Sequence, residues 1–204
     1  PALVGLFLGL ARDEGAGGRR RNFPVVRVAV HLSARQFNQD DLLGHVEGWI
    51  ARTGLDASLL GVELTESSIM QDPEAAADIL GRLSRTGVRV SIDDFGTGYS
   101  SLAYLKRFPL DALKIDRSFV QDVTSDASDA AIVRTVIALA QNLGLHVVAE
   151  GVETAEQLAF LRANGCQFAQ GYYFSPPIPA EEVFAVIAKL ERRAMAPVGV
   201  PMEA

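Results

Sequence analysis

From residue 25 to residue 189 the sequence repeats one cycle about six times: a short apolar, β-branched run, then a longer stretch with apolar residues at helical spacing. The short runs are 25–32, 60–65, 88–93, 110–116, 146–150 and 168–174. Between them, Asp40 and Asp41 open a helix carried by Leu42, Leu43, Val46, Trp49 and Ile50 and closed by Gly54. Asp72-Pro73-Glu74 starts a second helix, since proline suits the first turn. A short helix is expected over 101–107. Asp129 opens the longest, with Ile132, Val133, Val136, Ile137, Ala140 and Leu143 on one face and Gly144 at its end. Helices over 153–164 and 180–192 complete the cycle. Such alternation builds parallel βα units, and the strands read as apolar on both faces, as when helices cover a sheet.

Parallel βα units close into a barrel or spread into an open doubly wound sheet. The first strand is followed by no Gly-x-Gly-x-x-Gly, and there is no Gly-x-x-x-x-Gly-Lys-Ser/Thr, so the simplest nucleotide-binding sheets are excluded. Polar residues instead gather where the strands end: His31 and Ser33, Glu63 and Glu66, Asp93 and Asp94, Lys114 and Asp116, Glu150 and Glu153, then Gln170. In a barrel those ends share one mouth, where such folds do their chemistry. Glu63, Asp93 and Asp94 offer hard oxygen ligands of the kind Mg²⁺ and Mn²⁺ take. A carboxylate shared by two cations suits in-line attack on a phosphodiester. A formal charge of −6 leaves no broad basic footprint for a DNA or RNA polymer. The lone Cys166 excludes an internal disulfide and points to a reducing compartment.

The chain is read as one domain over 25–192, with an atypical segment over 1–24 and a tail over 193–204. The apolar run from Ala2 to Ala11 falls short of the roughly 20 residues that span a bilayer and follows no basic stretch, so no membrane contact is expected from this chain.

Glu63-Leu64-Thr65-Glu66-Ser67, the run from Asp93 to Leu102, Lys114-Ile115-Asp116, Glu150-Gly151-Val152-Glu153, Gln170-Gly171-Tyr172-Tyr173-Phe174 and the run from Ala29 to Phe37 resemble, in order and spacing, successive motifs of the EAL family. The resemblance implies an α/β fold, a TIM-type (β/α) barrel, and hydrolysis of cyclic di-GMP to linear pGpG with two divalent cations, Mg²⁺ or Mn²⁺. It assigns metal binding to Glu63, Asp93, Asp94 and Asp116. Lys114 falls to the site of the attacking water and Glu150 to the general base. Glu66, Glu153, Gln170, Thr97, Gly98 and Tyr99 are placed around the substrate or behind the ligands, with Glu66 steadying the loop after Asp94. It further implies a cytoplasmic bacterial protein, paired as a homodimer or fused to sensor or GGDEF-type domains.

Two features depart from the family pattern. His31 stands where the family has a metal-binding Asn; a neutral ring nitrogen suits Mn²⁺, Fe or Zn²⁺ and serves Mg²⁺ poorly. The sequence also contains no Glu-Ala-Leu, the tripeptide that names the family and carries a metal-binding glutamate, nor the arginine that follows it. The expectation is therefore a barrel lacking its first strands, with about six βα units, open edges prone to association, and very weak hydrolysis or none by the chain as given. The alternative is a non-catalytic module that senses cyclic di-GMP or binds a partner protein.

Overall fold

The computed structural model describes residues 26–39, 41–98 and 102–195. The expectations for Ala2 to Ala11, the tail beyond residue 195, Asp40 and Tyr99 lie outside them. Among the described residues, six strands form one parallel sheet in chain order, β1 (Val28–Leu32), β2 (Leu60–Thr65), β3 (Arg89–Phe95), β4 (Ala112–Ile115), β5 (His146–Ala149) and β6 (Phe168–Ala169). Each strand pairs with its immediate predecessor. A doubly wound sheet would reverse order at a switch point, so the unbroken sequence is that of a TIM-type barrel wall.

The helices are α1 (Ala34–Phe37), α2 (Leu42–Thr53), α3 (Glu66–Ile69), α4 (Pro73–Arg85), α5 (Leu102–Leu105), α6 (Arg117–Gln121), α7 (Ala127–Leu143), α8 (Ala155–Ala163) and α9 (Val183–Met195). Their starts and stops follow local chemistry. Asp72 accepts from the Ala75 N–H with Pro73 in the first turn. Thr154 and Gln157 form a reciprocal capping box at α8. Gly54 and Gly144 end α2 and α7 in the left-handed conformation. Among the described residues no helix is long and apolar enough to cross a membrane.

The core lies between sheet and helices. Leu60, Val62, Leu64, Val90, Ile92, Leu113, Ile115 and Val147 are buried on the convex face, against Val46, Leu80, Leu83, Val133, Ile137 and Leu161. Each such side chain contributes about 1.5–3 kcal/mol through burial. The alternate positions differ. Ala29, Gly61, Ser91, Ala112 and Val148 line a cavity of about 420 Å³ on the concave side, and none of them is buried. The reading of strands apolar on both faces is thus corrected. The helix-facing side is apolar throughout, while the inner side is small near the strand starts and charged toward their ends.

Two element boundaries also differ from expectation. The sixth strand stops at Ala169, not at Phe174, because Gly171 turns the chain at φ 151°. A Cβ there would collide with the Val152 backbone. Pairing continues through the loops, with Gln170 N–H donating to Ala149 at 2.8 Å and Val152 N–H to Gln170 at 3.0 Å. The longest helix begins earlier than Asp129, since Asp126 accepts from the N–H groups of both Ser128 and Asp129. Two acidic residues three apart look alike as helix starts, and only one can satisfy the free donors of the first turn. Asp126→Ala should therefore lower the melting temperature by about 2–4 °C, and Asp129→Ala by clearly less. Equal shifts in calorimetry would place the cap wrongly.

Candidate active site

The inner face ends in a cluster built around one ammonium group. Lys114 on β4 is 4% exposed. Its Nζ lies 2.7 Å from Glu63 Oε2 on β2, 3.0 Å from Asp93 Oδ1 on β3 and 2.6 Å from Glu150 Oε1 just past β5. Parallel register brings these strands' ends level, with Thr65 opposite Asp93 and Ile115 opposite Ala149. Burial works against the Lys114 charge. Its hydrogen bonds to Glu150 and Glu63 outweigh that cost and hold the group well above its ordinary value. Burial likewise pushes the Glu150 carboxyl up, against the pull of Lys114. Gln170 Nε2 donates to the same Glu150 oxygen at 2.7 Å, fixing its direction.

Asp93 has a second partner, His31 on β1, whose Nδ1 lies 3.2 Å from Asp93 Oδ2. Asp94 would face the helices if β3 kept its alternation. It does not, because the register shifts between Ile92, opposite Leu113, and Phe95, opposite Ile115. One extra residue is absorbed there, the mark of a β-bulge, and bulges re-aim side chains beside active sites. Asp94 carries the strain at φ 53°, and it is the one non-glycine residue with positive φ among those described. Aspartate tolerates that conformation better than most residues.

Asp116 stands behind Asp94. It caps α6 by accepting from the Ser118 N–H at 2.8 Å and from the Ser118 hydroxyl. Burial alone would raise Asp116, but the Ser118 donors and Asp94 hold it below the ordinary carboxylate value. Asp94 is raised, by burial first and then by the negative charge of Asp93. The buried Glu66 accepts from the Gly96 N–H at 3.1 Å, while Thr97 bonds back to the Asp94 carbonyl at 2.8 Å. A Cβ on Gly98 would come within 3.0 Å of Glu66. The carboxylate and the glycine loop thus fit each other closely.

Glu153 is apart from this cluster. It is exposed, and its backbone N–H donates to the Gln157 side-chain oxygen that also accepts from Thr154 in the α8 capping box. With Glu150, Gln170, Tyr172 and Pro176 it lines an adjoining cavity of about 500 Å³, to which Arg117 adds a cation. Arg117 was not singled out in the sequence, although it follows directly on the strand-end residue Asp116.

Among the described residues, two groups of side chains could hold a cation: His31, Glu63 and Asp93, and Asp93, Asp94 and Glu150, with ligand atoms within 4.8 Å of one another in each. Asp93 belongs to both. The donors are carboxylate oxygens and one imidazole gathered at the C-terminal ends of the strands, a set that fits divalent metal.

A parallel βα wall with acids and a lysine at its C-terminal mouth is the arrangement in which TIM-type barrels carry their sites. The EAL domain family matches residues 14–177, and the chain belongs to that family. It is 51% identical over 154 residues to the cyclic di-GMP phosphodiesterase NbdA of Pseudomonas aeruginosa, an alignment covering 76% of this chain and 20% of that protein. The chain thus spans about a fifth of the length of that curated relative. Among solved structures, it resembles the PaMucR phosphodiesterase in complex with c-di-GMP, with a TM-score of 0.81 and 45% identity, over 88% of this chain and 71% of that one. It also resembles the Klebsiella pneumoniae BlrP1 manganese/cy-diGMP complex, with a TM-score of 0.72 and 31% identity, over 85% and 43% of the two chains.

The Lys114 cluster generates a stability prediction. Lys114→Met leaves the buried Asp93 and the partly buried Glu63 and Glu150 carboxylates facing one another without their cation, and losing one member of such a set costs about 3–5 kcal/mol. Lys114 contributes fully below its ordinary value near 10.4 and loses that contribution only as pH rises through its raised one. In the variant, Glu150 loses the pull of Lys114 that opposes its burial, so its carboxyl rises further and the deficit shrinks as pH falls through that raised value. Denaturant unfolding in chelator at pH 7 and pH 5 should show the deficit shrinking at the lower pH. An undiminished deficit would mean lost packing, not charge.

Proposed function

We propose that the chain's mouth hydrolyses one phosphodiester of cyclic di-GMP to give linear pGpG. The observation that carries this reading is the Asp93 carboxylate common to both candidate ligand groups, with Lys114 and Glu150 beside it. The relatives named for this activity, and those complexed with this ligand, support it.

His31, Glu63, Asp93 and Asp94 would hold divalent cations, Mg²⁺ or Mn²⁺, with Asp116 setting the Asp94 carboxylate from behind. Bound there, the cations supply charge to offset the substrate phosphate and acidify water. Glu150 takes a proton from the attacking water as its oxygen bonds to phosphorus. The bond to the ribose 3′ oxygen breaks, and that oxygen takes a proton from solvent. A base works best with a value near the working pH, and burial moves Glu150 in that direction. Lys114 and Gln170 keep its carboxylate aimed. Glu66 and the Thr97-Gly98 turn hold the loop that carries Asp94. The cavity lined by Arg117, Glu153 and Tyr172 offers space for the rest of a dinucleotide.

Residues 25–192 would form this catalytic unit within a longer cytoplasmic protein, since NbdA is about five times the aligned length. Pairing with a second copy or with sensor and GGDEF-type domains fits that arrangement.

Chromatography of pGpG provides the test. Activity should vanish in chelator and return with Mn²⁺ or Mg²⁺. Glu150→Gln should lower kcat by about 10²–10⁴ with little change in KM. A matching loss of substrate or metal binding would make Glu150 a ligand and not a base. Absence of pGpG from the unmodified chain with either metal would overturn the hydrolytic reading.

A further inference from the structure

The two candidate ligand groups are not alike in their atoms. Asp93, Asp94 and Glu150 bring oxygen only, whereas His31, Glu63 and Asp93 include a ring nitrogen. That nitrogen is directed inward: Nδ1 faces Asp93 Oδ2 at 3.2 Å, and the register sets His31 directly beside Glu63 across the β1–β2 pair. Mg²⁺ takes hard oxygen ligands in near-ideal octahedra. Imidazole nitrogen suits the later divalent ions of the first transition row best, and Mn²⁺, the weakest of that row, still accepts it more readily than Mg²⁺ does.

We propose that the mouth holds two chemically unequal cation positions, and that His31 makes the one on the β1–β2 side select a first-row transition ion over Mg²⁺. The all-oxygen position, at the Asp93 and Asp94 carboxylates with Glu150 alongside as the base, takes either kind. Asp93 is the bridge, one oxygen turned to His31 and the other to Lys114. Selection follows from competition for each position. Mg²⁺ at millimolar levels replaces a transition ion where the ligands are carboxylates, and fails to where a nitrogen donor is part of the set. This inequality deepens the two-cation reading above, but it concerns binding and is measurable without turnover.

The sequence makes a clean experiment possible. It holds three histidines, and the other two lie away from the mouth: His45 is on α2, bonded to the Asp41 carbonyl at 2.7 Å, and His146 opens β5 at the opposite end of the sheet. Nitrogen bonded to a cation at the mouth must therefore come from His31. The probe is Mn²⁺ on the full chain, read by electron spin-echo envelope modulation, which detects a coordinated ¹⁴N. Imidazole coupling is expected in the unmodified chain and should be lost in His31→Asn. Titrating Mg²⁺ into the Mn²⁺-loaded chain should release one ion readily and leave the nitrogen-coordinated one. His31→Asn should narrow the preference of that position for Mn²⁺ over Mg²⁺ by tenfold or more, since even an outer partner of a ligand costs about 10–100-fold in affinity. Circular dichroism checks that the variant is folded, and His31→Gln repeats the test with a second oxygen donor. Failure to bind Mn²⁺, absence of nitrogen coupling, its persistence in both variants, or release of both ions over one Mg²⁺ range would overturn the inequality. Formation of pGpG by the same samples separates the two ideas: unequal positions without turnover would sink the hydrolytic reading alone.

Discussion

Everything at the mouth is arranged around the Lys114 ammonium. Three strands deliver a carboxylate to it at 2.6–3.0 Å, and each of those carboxylates would repel the others without it. A charge this deeply buried costs several kcal/mol to desolvate unless its partners are well placed. The parallel register places them, and the apolar convex face locks that register, because a slip of one residue would turn Val62, Ile92 and Leu113 out of the core. The acidic cluster is therefore stabilised by groups that never touch it. The reverse also holds, since the cluster ties β2, β3, β4 and the end of β5 together across the concave side, where little else is buried.

Much of this was legible in the sequence because it depends on local signals that agree. The β2 strand falls where its apolar pattern placed it, and α2 and α4 are bounded by the Asp-Pro and Gly signals read for them. Strand-end positions alone marked His31, Glu63, Asp93, Lys114 and Glu150, which the fold brings together. What escaped depends on geometry that one-dimensional pattern does not carry. Asp126 and Asp129 are interchangeable as letters, and only the path of the chain decides which one reaches two N–H groups. The strands read as apolar on both faces because residues such as Ala29 and Ala112 count as apolar in composition. Their small size, not their hydropathy, is what the inner side uses. Arg117 was passed over because its significance lies in the cavity it lines.

His31 illustrates how a single position can alter the chemistry of a site without altering its shape. It occupies an inward position on β1 and reaches the shared carboxylate, so the strand serves the same geometric purpose whichever donor it carries. The identity of the donor atom then governs which cations are welcome. Architecture and selectivity are separable here: the first belongs to the sheet, the second to one side chain at its margin.

The bulge in β3 makes the same separation in another way. By taking up one residue between Ile92 and Phe95, the strand shows two consecutive carboxylates to one side and still returns Phe95 to the core. The strand thus behaves like a ruler with one doubled division. Exchanging a side chain within that division alters a ligand, whereas removing the division shifts everything beyond it, sending Phe95 toward the mouth and the glycine loop off its hold on Glu66. For mutational tolerance this means that chain length at residues 93–94 is more tightly constrained than composition, although the segment borders a loop where deletions are ordinarily absorbed.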